Sequence, residues 1–296
     1  MYIKKVKGNT YCIVTKMTYI PFYKINDEEI IMLDTGWKDG QREGIDELLE
    51  RNNFKVAGII CSHAHIDHVG NNSYLKNKYN SIIAMPSHEA LVCSSTVNLK
   101  VYYSTQTLSQ VKKHFGHMVC ETDIFITNKQ NYIYVCGIKF NILHTPGHSP
   151  AHICITTPDD VTYLGDSLIS YEVMKGAKLP YAFILKEDLK SKEKLFKLKS
   201  NKYIIAHQGI YNDITKLITD NIAFYKNRAK KIYDLVEGTM TMEEIMKKVI
   251  ENWNIKIKSI YHYSVIEKML RSYVEYLNET ENIELILEDG FLKYKK

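Results

Sequence analysis

The sequence predicts an α+β protein: two β-sheets packed face to face with helices outside, then a small helical unit closed by a β-hairpin. Three observations carry this. Residues 1–35 and 123–166 each hold a succession of short apolar, strand-like runs. Helical stretches follow each set, so strands precede helices twice over. Beyond residue 213 the pattern turns helical, then ends in two short runs around Asp289-Gly290, a strong hairpin signal.

In chain order, YCIVT, MTYIPFY and EIIMLD read as strands, with turns at Gly8-Asn9 and Asn26-Asp27. Residues 40–53 read as a helix, because Ile45, Leu48 and Leu49 recur at i, i+3, i+4. VAGIIC (56–61) is a buried strand, 69–80 a helix or helical turn, and SIIAM (81–85) another strand. Residues 87–121 are less regular, with helical patches around Tyr102, Tyr103 and Phe115. DIFIT, NYIYVC, IKFNILH, HICIT and VTYLGD form the second strand set, followed by the helical EDLKSKEKLFKLKS and the strand-like YIIAH. Residues 214–237 read as one long helix. Thr241 caps a second, and SVIEKMLRSYVEYLNE forms a third. Helices followed by a terminal hairpin read as a winged-helix unit. The chain thus divides into residues 1–212 and 213–296.

Composition narrows the class. Of 296 residues, 45% are hydrophobic and 25% charged, which is ordinary for a globular protein and argues against disorder or coiled coil. The net charge of +5 is mild. Lys and Arg outnumber Asp and Glu by only 13 to 12 in residues 222–296, and by 26 to 22 before them. Such balance does not favour nucleic-acid binding. Six cysteines without a C-x-x-C pair fit a reduced, cytoplasmic setting, and no apolar stretch reaches membrane-spanning length.

The chemistry concentrates in CSHAHIDH, residues 61–68, which holds three of the chain's 11 histidines. On a helix, His63 and His65 would point roughly 200° apart; on an extended segment, positions i and i+2 point the same way. His63, His65 and Asp67 can therefore converge at the end of the VAGIIC strand, with His68 supplied by the turn. His144, Asp166 and His207 each end another strand-like run, and strand ends share a sheet edge. Seven such ligands exceed one tetrahedral ion and suit two neighbouring ions sharing a carboxylate. Imidazole and carboxylate without thiolate favour divalent transition metals, Zn²⁺ first, with Fe²⁺ or Mn²⁺ as alternatives. His148 and His152 lie close to His144 and suit a supporting role. His88, His114, His117 and His262 have no such placement.

In order, H-x-H-x-D-H, H-T-P-G-H, G-D and a late H-x-G, after a strand-strand-LDTG start, resemble the metallo-β-lactamase superfamily over about residues 1–212. The resemblance implies a four-layer αββα sandwich. It places His63, His65 and His144 on one metal and Asp67, His68 and His207 on the other. Asp166 bridges them, and Asp34 supports the ligands from behind. Histidine rather than a carboxylate at position 65 separates the chain from diiron flavoprotein relatives and points to a hydrolase. His68 points away from true β-lactamases. The tail is similar to winged-helix tails of some members, which shape the substrate entrance or pack against a partner subunit, as in a homodimer.

The implied activity is hydrolysis by a metal-bridging hydroxide, with Asp67 orienting the nucleophile. No G-x-S-x-G elbow suggests a serine nucleophile instead. The motif set is similar to the glyoxalase II branch, which implies a small ester or thioester substrate. A phosphodiesterase or ribonuclease is the alternative, and a metal-sensing winged-helix DNA-binding regulator is the alternative from another class. Residues 171–186 follow Asp166, so Tyr171, Lys175, Lys178 and Tyr181 are candidate substrate contacts.

Overall fold

In the computed structural model, described residues are 1–103, 105–280 and 282–296. The first sheet orders β1 (Tyr2–Lys7), β2 (Thr10–Val14), β3 (Tyr19–Lys24), β4 (Glu29–Leu33), β5 (Lys55–Ile60), β6 (Ile82–Pro86) and β7 (Ile124–Ile126) side by side in chain order. Its first four strands pair antiparallel; β4 to β7 are parallel. Helices α1 (Lys38–Arg51), α2 (Ile66–Val69), α3 (Asn72–Tyr79), α4 (Ser87–Cys93), α5 (Thr96–Tyr102) and α6 (Leu108–Phe115) supply the crossovers. The second sheet runs β8 (Tyr132–Val135), β9 (Ile138–His144), β10 (Ile153–Thr156), β11 (Val161–Tyr163), β12 (Lys202–Ile205) and β13 (Gly209–Tyr211). Helices α7 (Tyr171–Gly176) and α8 (Leu185–Lys194) lie between β11 and β12.

Alternation along the strands sorts the layers. On β4, Ile30 and Met32 join Ile45, Leu48 and Leu49 of α1 in one buried cluster. Ile31 and Leu33 face the other way and pack with Phe140, Ile142, Ile155 and Ile204 of the second sheet. Behind that sheet, Tyr203 and Ile205 pack against Leu195, Leu217 and Ile218. The result is helix, sheet, sheet, helix, as expected.

The tail contains α9 (Thr215–Leu235), β14 (Thr239–Met240), α10 (Met242–Asn252), α11 (Ile260–Glu279), β15 (Glu284–Glu288) and β16 (Phe291–Lys295). The hairpin expected at Asp289-Gly290 is present, and β14 joins it in a sheet ordered β14-β16-β15. Thr241 caps α10 in a full capping box with Glu244. The tail's core draws on Leu179, Ala182, Leu185 and Leu189 as well as on its own helices. Tyr273 OH donates to the Pro180 carbonyl at 3.0 Å, and Tyr225 OH to the Tyr181 carbonyl at 3.2 Å. The loop after α7 is thereby fixed to the tail. No helix among the described residues is long and apolar enough to cross a membrane.

Candidate metal centre

Parallel pairing places several strand ends on one edge. β4, β5 and β6 run together, so Asp34 and the His63 segment leave the first sheet side by side. β11 and β12 are parallel in the second sheet, so Asp166 and His207 emerge together. Between the two sheets the donor atoms converge in two sets. One is His63, His65, His148 and Asp166; the other is Asp67, His68 and His207. Within each set, all donor atoms lie within 4.8 Å of one another.

Asp166 stands between the sets. Its Oδ2 is 3.3 Å from His148 Nε2, 3.5 Å from His68 Nε2 and 3.4 Å from His207 Nε2. Asp67 Oδ2 lies 3.3 Å from His207 Nε2. His65 Nδ1 is 2.9 Å from His63 Nε2 and 3.1 Å from His148 Nε2. Metal–nitrogen bonds of ~2.0–2.1 Å give a tetrahedron with edges of roughly 3.4 Å, so these separations fit shared coordination. Asp166 Oδ1 and His68 Nε2 are buried with no hydrogen-bond partner among the described residues, which a cation would supply. The residues therefore fit metal ions.

His144 does not join them. β9 continues through it, and its Nε2 sits 2.8 Å from the Gln130 carbonyl oxygen at the surface. His148 occupies the position expected of His144. The chain doubles back at Pro146-Gly147, where Gly147 has φ +128°. A Cβ there would come within 2.0 Å of the Asp188 backbone nitrogen, so only glycine permits this close approach. Tyr171, Lys175 and Lys178 also lie elsewhere. Ser170 caps α7 and turns it outward. Tyr171 OH donates to Asp220 at 2.8 Å, Lys175 pairs with Glu172 at 2.6 Å, and Lys178 donates to the Asn254 carbonyl at 2.6 Å. Of the four, Tyr181 alone lines the cavity over the cluster.

The nitrogen facing away from the cluster is held on four of the five histidines, which leaves the other as a bare donor. His63 Nδ1 donates to Ser62 Oγ at 2.9 Å, and Ser62 Oγ donates to Asp34 Oδ2 at 2.6 Å. His68 Nδ1 donates to Asp34 Oδ2 at 2.8 Å. His207 Nδ1 reaches the Met17 carbonyl at 3.2 Å, and His65 Nε2 meets Tyr102 OH at 2.9 Å. Asp34, at φ +62°, also accepts from Ser62 N (2.7 Å) and Tyr163 OH (2.7 Å). Asp34 comes near His63 and His68 as a third donor set. Its oxygens are already taken by these bonds, so it supports the ligands. His152 is structural: its Nε2 accepts the Asp166 backbone N–H at 3.1 Å.

Two residues that carried no signal in the sequence matter here. Glu89, buried in α4, accepts from Ala64 N (3.0 Å), Ser149 Oγ (2.7 Å) and Ala151 N (2.8 Å). It ties the two ligand loops together. Tyr102, at the end of α5, braces His65. Tyr102→Phe is expected to fold normally and weaken metal affinity by about tenfold; competition with a chromogenic chelator measures this.

Charge within the cluster is divided. Burial, then the neighbouring imidazoles, push His63 and His65 well below the ordinary histidine value, which keeps them neutral. Burial would also lower His207, but Asp166 and Asp67 outweigh it and raise it to about 10. Burial would raise Asp67; His68 and His207 instead hold its carboxyl well below the usual range. In chelated protein the stability that the His207 proton contributes is complete below pH 6.5 and is lost as pH rises through about 10. A metal must displace that proton, so zinc uptake at pH 7 is expected to release protons. Calorimetric titration in two buffers of different ionisation enthalpy reads the number; zero release would contradict the assignment of His207.

Residues 18–102 match the family model for the metallo-beta-lactamase superfamily. Nearly the whole chain superposes on a metallo-beta-lactamase family protein from Thermus thermophilus, with TM-score 0.71 at 15% identity, covering 97% of this chain and 99% of that one. The chain is similar to the metallo-beta-lactamase superfamily in sequence over residues 18–102 and in fold over nearly its whole length. A beta-lactamase domain protein from Burkholderia ambifaria gives TM-score 0.73 at 13% identity over 99% of this chain and 93% of that one, so the likeness in fold takes in the small C-terminal sheet. An uncharacterized protein of Aquifex aeolicus is 31% identical over 128 residues, 43% of this chain. The match spans about half, 53%, of that relative's length. Hydroxyacylglutathione hydrolase GloC of Haemophilus influenzae is 24% identical over 195 residues, 64% of this chain and 84% of that one.

Proposed function

We propose that the protein is a member of the metallo-beta-lactamase superfamily and a binuclear metal-dependent hydrolase of small ester or thioester substrates. The observation that carries the reading is the pair of converging donor sets with Asp166 between them. His63, His65 and His148 would hold one ion, and Asp67, His68 and His207 the other, with Asp166 shared. Zn²⁺ suits this nitrogen-rich set, with Fe²⁺ or Mn²⁺ as alternatives. When bound, the ions supply Lewis acidity toward a carbonyl oxygen and an acidified water. The similarity to hydroxyacylglutathione hydrolase GloC supports a thioester.

The remaining chemistry belongs to the chain's own residues. Asp67, kept ionised, orients the attacking water through its carboxylate. Tyr181 OH faces the cavity and can donate to a substrate oxygen. A cavity of about 210 Å³ adjoins His65, His148 and Asp166. A groove of about 640 Å³ shares Ile66, Asp67, Gln106 and Tyr261 with it. The smaller cavity takes the acyl side, and the larger groove leaves room for the departing thiol or alcohol. A larger hollow of about 860 Å³ beside α1 contains none of the ligand residues and takes no part.

The order helix, strand, helix, helix, strand, strand supports reading residues 213–296 as a winged-helix-like unit. Since α11 walls the cavity, we assign that unit to substrate contact. The test is metal content together with a panel of thioester, lactone and phosphodiester substrates. Two equivalents of metal and chelator-sensitive thioester turnover are expected. Turnover of the phosphodiester alone would move the reading to a phosphodiesterase.

A further inference from the structure

The cavity over the metal centre is aromatic, and one lysine projects into it from the tail. Tyr102, Tyr103, Tyr181 and Tyr261 form its walls, with Val265 and Met269 of α11. Lys268, also on α11, lines the same space. Its Nζ donates to the Tyr102 carbonyl oxygen and lies 4.3 and 5.5 Å from the ring centroids of Tyr102 and Tyr103. Glu267, beside it in sequence, is turned to Arg271 at 3.7 Å. No carboxylate among the described residues pairs with the ammonium. A half-buried cation with a single oxygen acceptor retains two N–H groups for a ligand. Burial, offset only in part by Glu267, pushes it down to about 8, so an anion beside it would restore the charge balance.

We propose that Lys268 selects substrates whose acyl group ends in a carboxylate. This rests on the hydrolase reading and names its substrate class: short ω-carboxyacyl thioesters or esters. The scissile carbonyl lies at the donor cluster, because His65, His148 and Asp166 form that end of the cavity. The acyl chain runs between the tyrosine faces, and its terminal carboxylate meets Lys268. One ammonium matches one carboxylate in charge; a phosphate would call for an Arg fork or a second Lys or Arg, and among the described residues the lining holds neither. Water adds to the carbonyl carbon, the carbon–sulfur bond breaks, and the products are a dicarboxylate and a thiol that takes up the proton.

Succinyl and butyryl thioesters of one thiol separate the terminal charge from chain length. Zinc-loaded protein is expected to favour the succinyl thioester in kcat/KM by about tenfold to a hundredfold, as a charge-assisted hydrogen bond supplies. In Lys268→Met the ratio is expected to fall to near one, with Lys268→Arg keeping part of it. Circular dichroism and zinc content serve as folding controls. Calorimetric binding of succinate against butyrate gives a readout independent of turnover, with the same ordering and the same loss. Equal rates and affinities for both compounds in the unmodified protein would overturn the carboxylate pocket. So would a Lys268→Met loss that is equal on both. If neither thioester turns over while succinate is still bound preferentially through Lys268, the pocket stands and the hydrolase reading falls.

Discussion

A protein carrying His63→Ala with His65→Ala is expected to bind at most one metal ion and to hydrolyse nothing above background, while keeping its fold. His63 and His65 give two of the four donor atoms of one set, and His65 Nδ1 touches both His63 Nε2 and His148 Nε2. With both gone, that set retains one imidazole and one carboxylate, too few for a tetrahedral ion. The sheets rest on Ile31, Leu33, Phe140, Ile155 and their neighbours, so the core survives. In chelated protein these two rings are neutral and crowded against other imidazoles, so truncation removes little electrostatic stabilisation. Metal analysis, circular dichroism and turnover on the same sample check this. Full activity in a folded double variant would sink the metal assignment.

Asp34→Ala is expected to act on stability and affinity at once. The carboxylate accepts from Ser62 N, Ser62 Oγ, His68 Nδ1 and Tyr163 OH, all buried. Removing it strands these buried donors and takes one of the carboxylates from His68, which costs about 3–5 kcal/mol. It also frees the His68 ring to turn, so metal affinity should fall by roughly 10–100-fold, the range typical of a lost ligand support. Asp34→Asn separates the two effects. The amide keeps some hydrogen bonds but cannot accept at every contact, so it should recover part of the stability and little of the affinity. Urea denaturation and metal competition measure each quantity. An Asp34→Ala protein with unchanged midpoint and unchanged affinity would refute the role.

The layered fold was legible because period-two alternation is a local property: Ile30 and Met32 declare one face, Ile31 and Leu33 the other. The CSHAHIDH donors were legible for the same reason. His144 misled because a strand-end rule ranks it above His148, four residues on in HTPGH. The turn at Pro146-Gly147 decides between them, and its geometry depends on Asp188, distant in sequence. Tyr171, Lys175 and Lys178 were chosen for following Asp166, yet a Ser170 cap directs α7 outward. Glu89, Tyr102 and Lys268 could not be found in this way, because long-range packing gives each its role. The α11 face had one trace: Tyr261, Ser264, Val265 and Lys268 follow a helical spacing opposite the core residues Ile266, Leu270 and Tyr273.

Tyr102 is held at both ends. Its hydroxyl meets His65, and its carbonyl receives Lys268 from the tail. The cavity over the donor cluster is therefore assembled from stretches of chain far apart in sequence. The segment that matches the superfamily model, residues 18–102, includes the CSHAHIDH donors; the wall contributed by residues 261–269 lies well outside it. If the proposed substrate contact through α11 holds, substitutions on that wall are expected to redirect which molecules are cleaved while the metal donors stay in place.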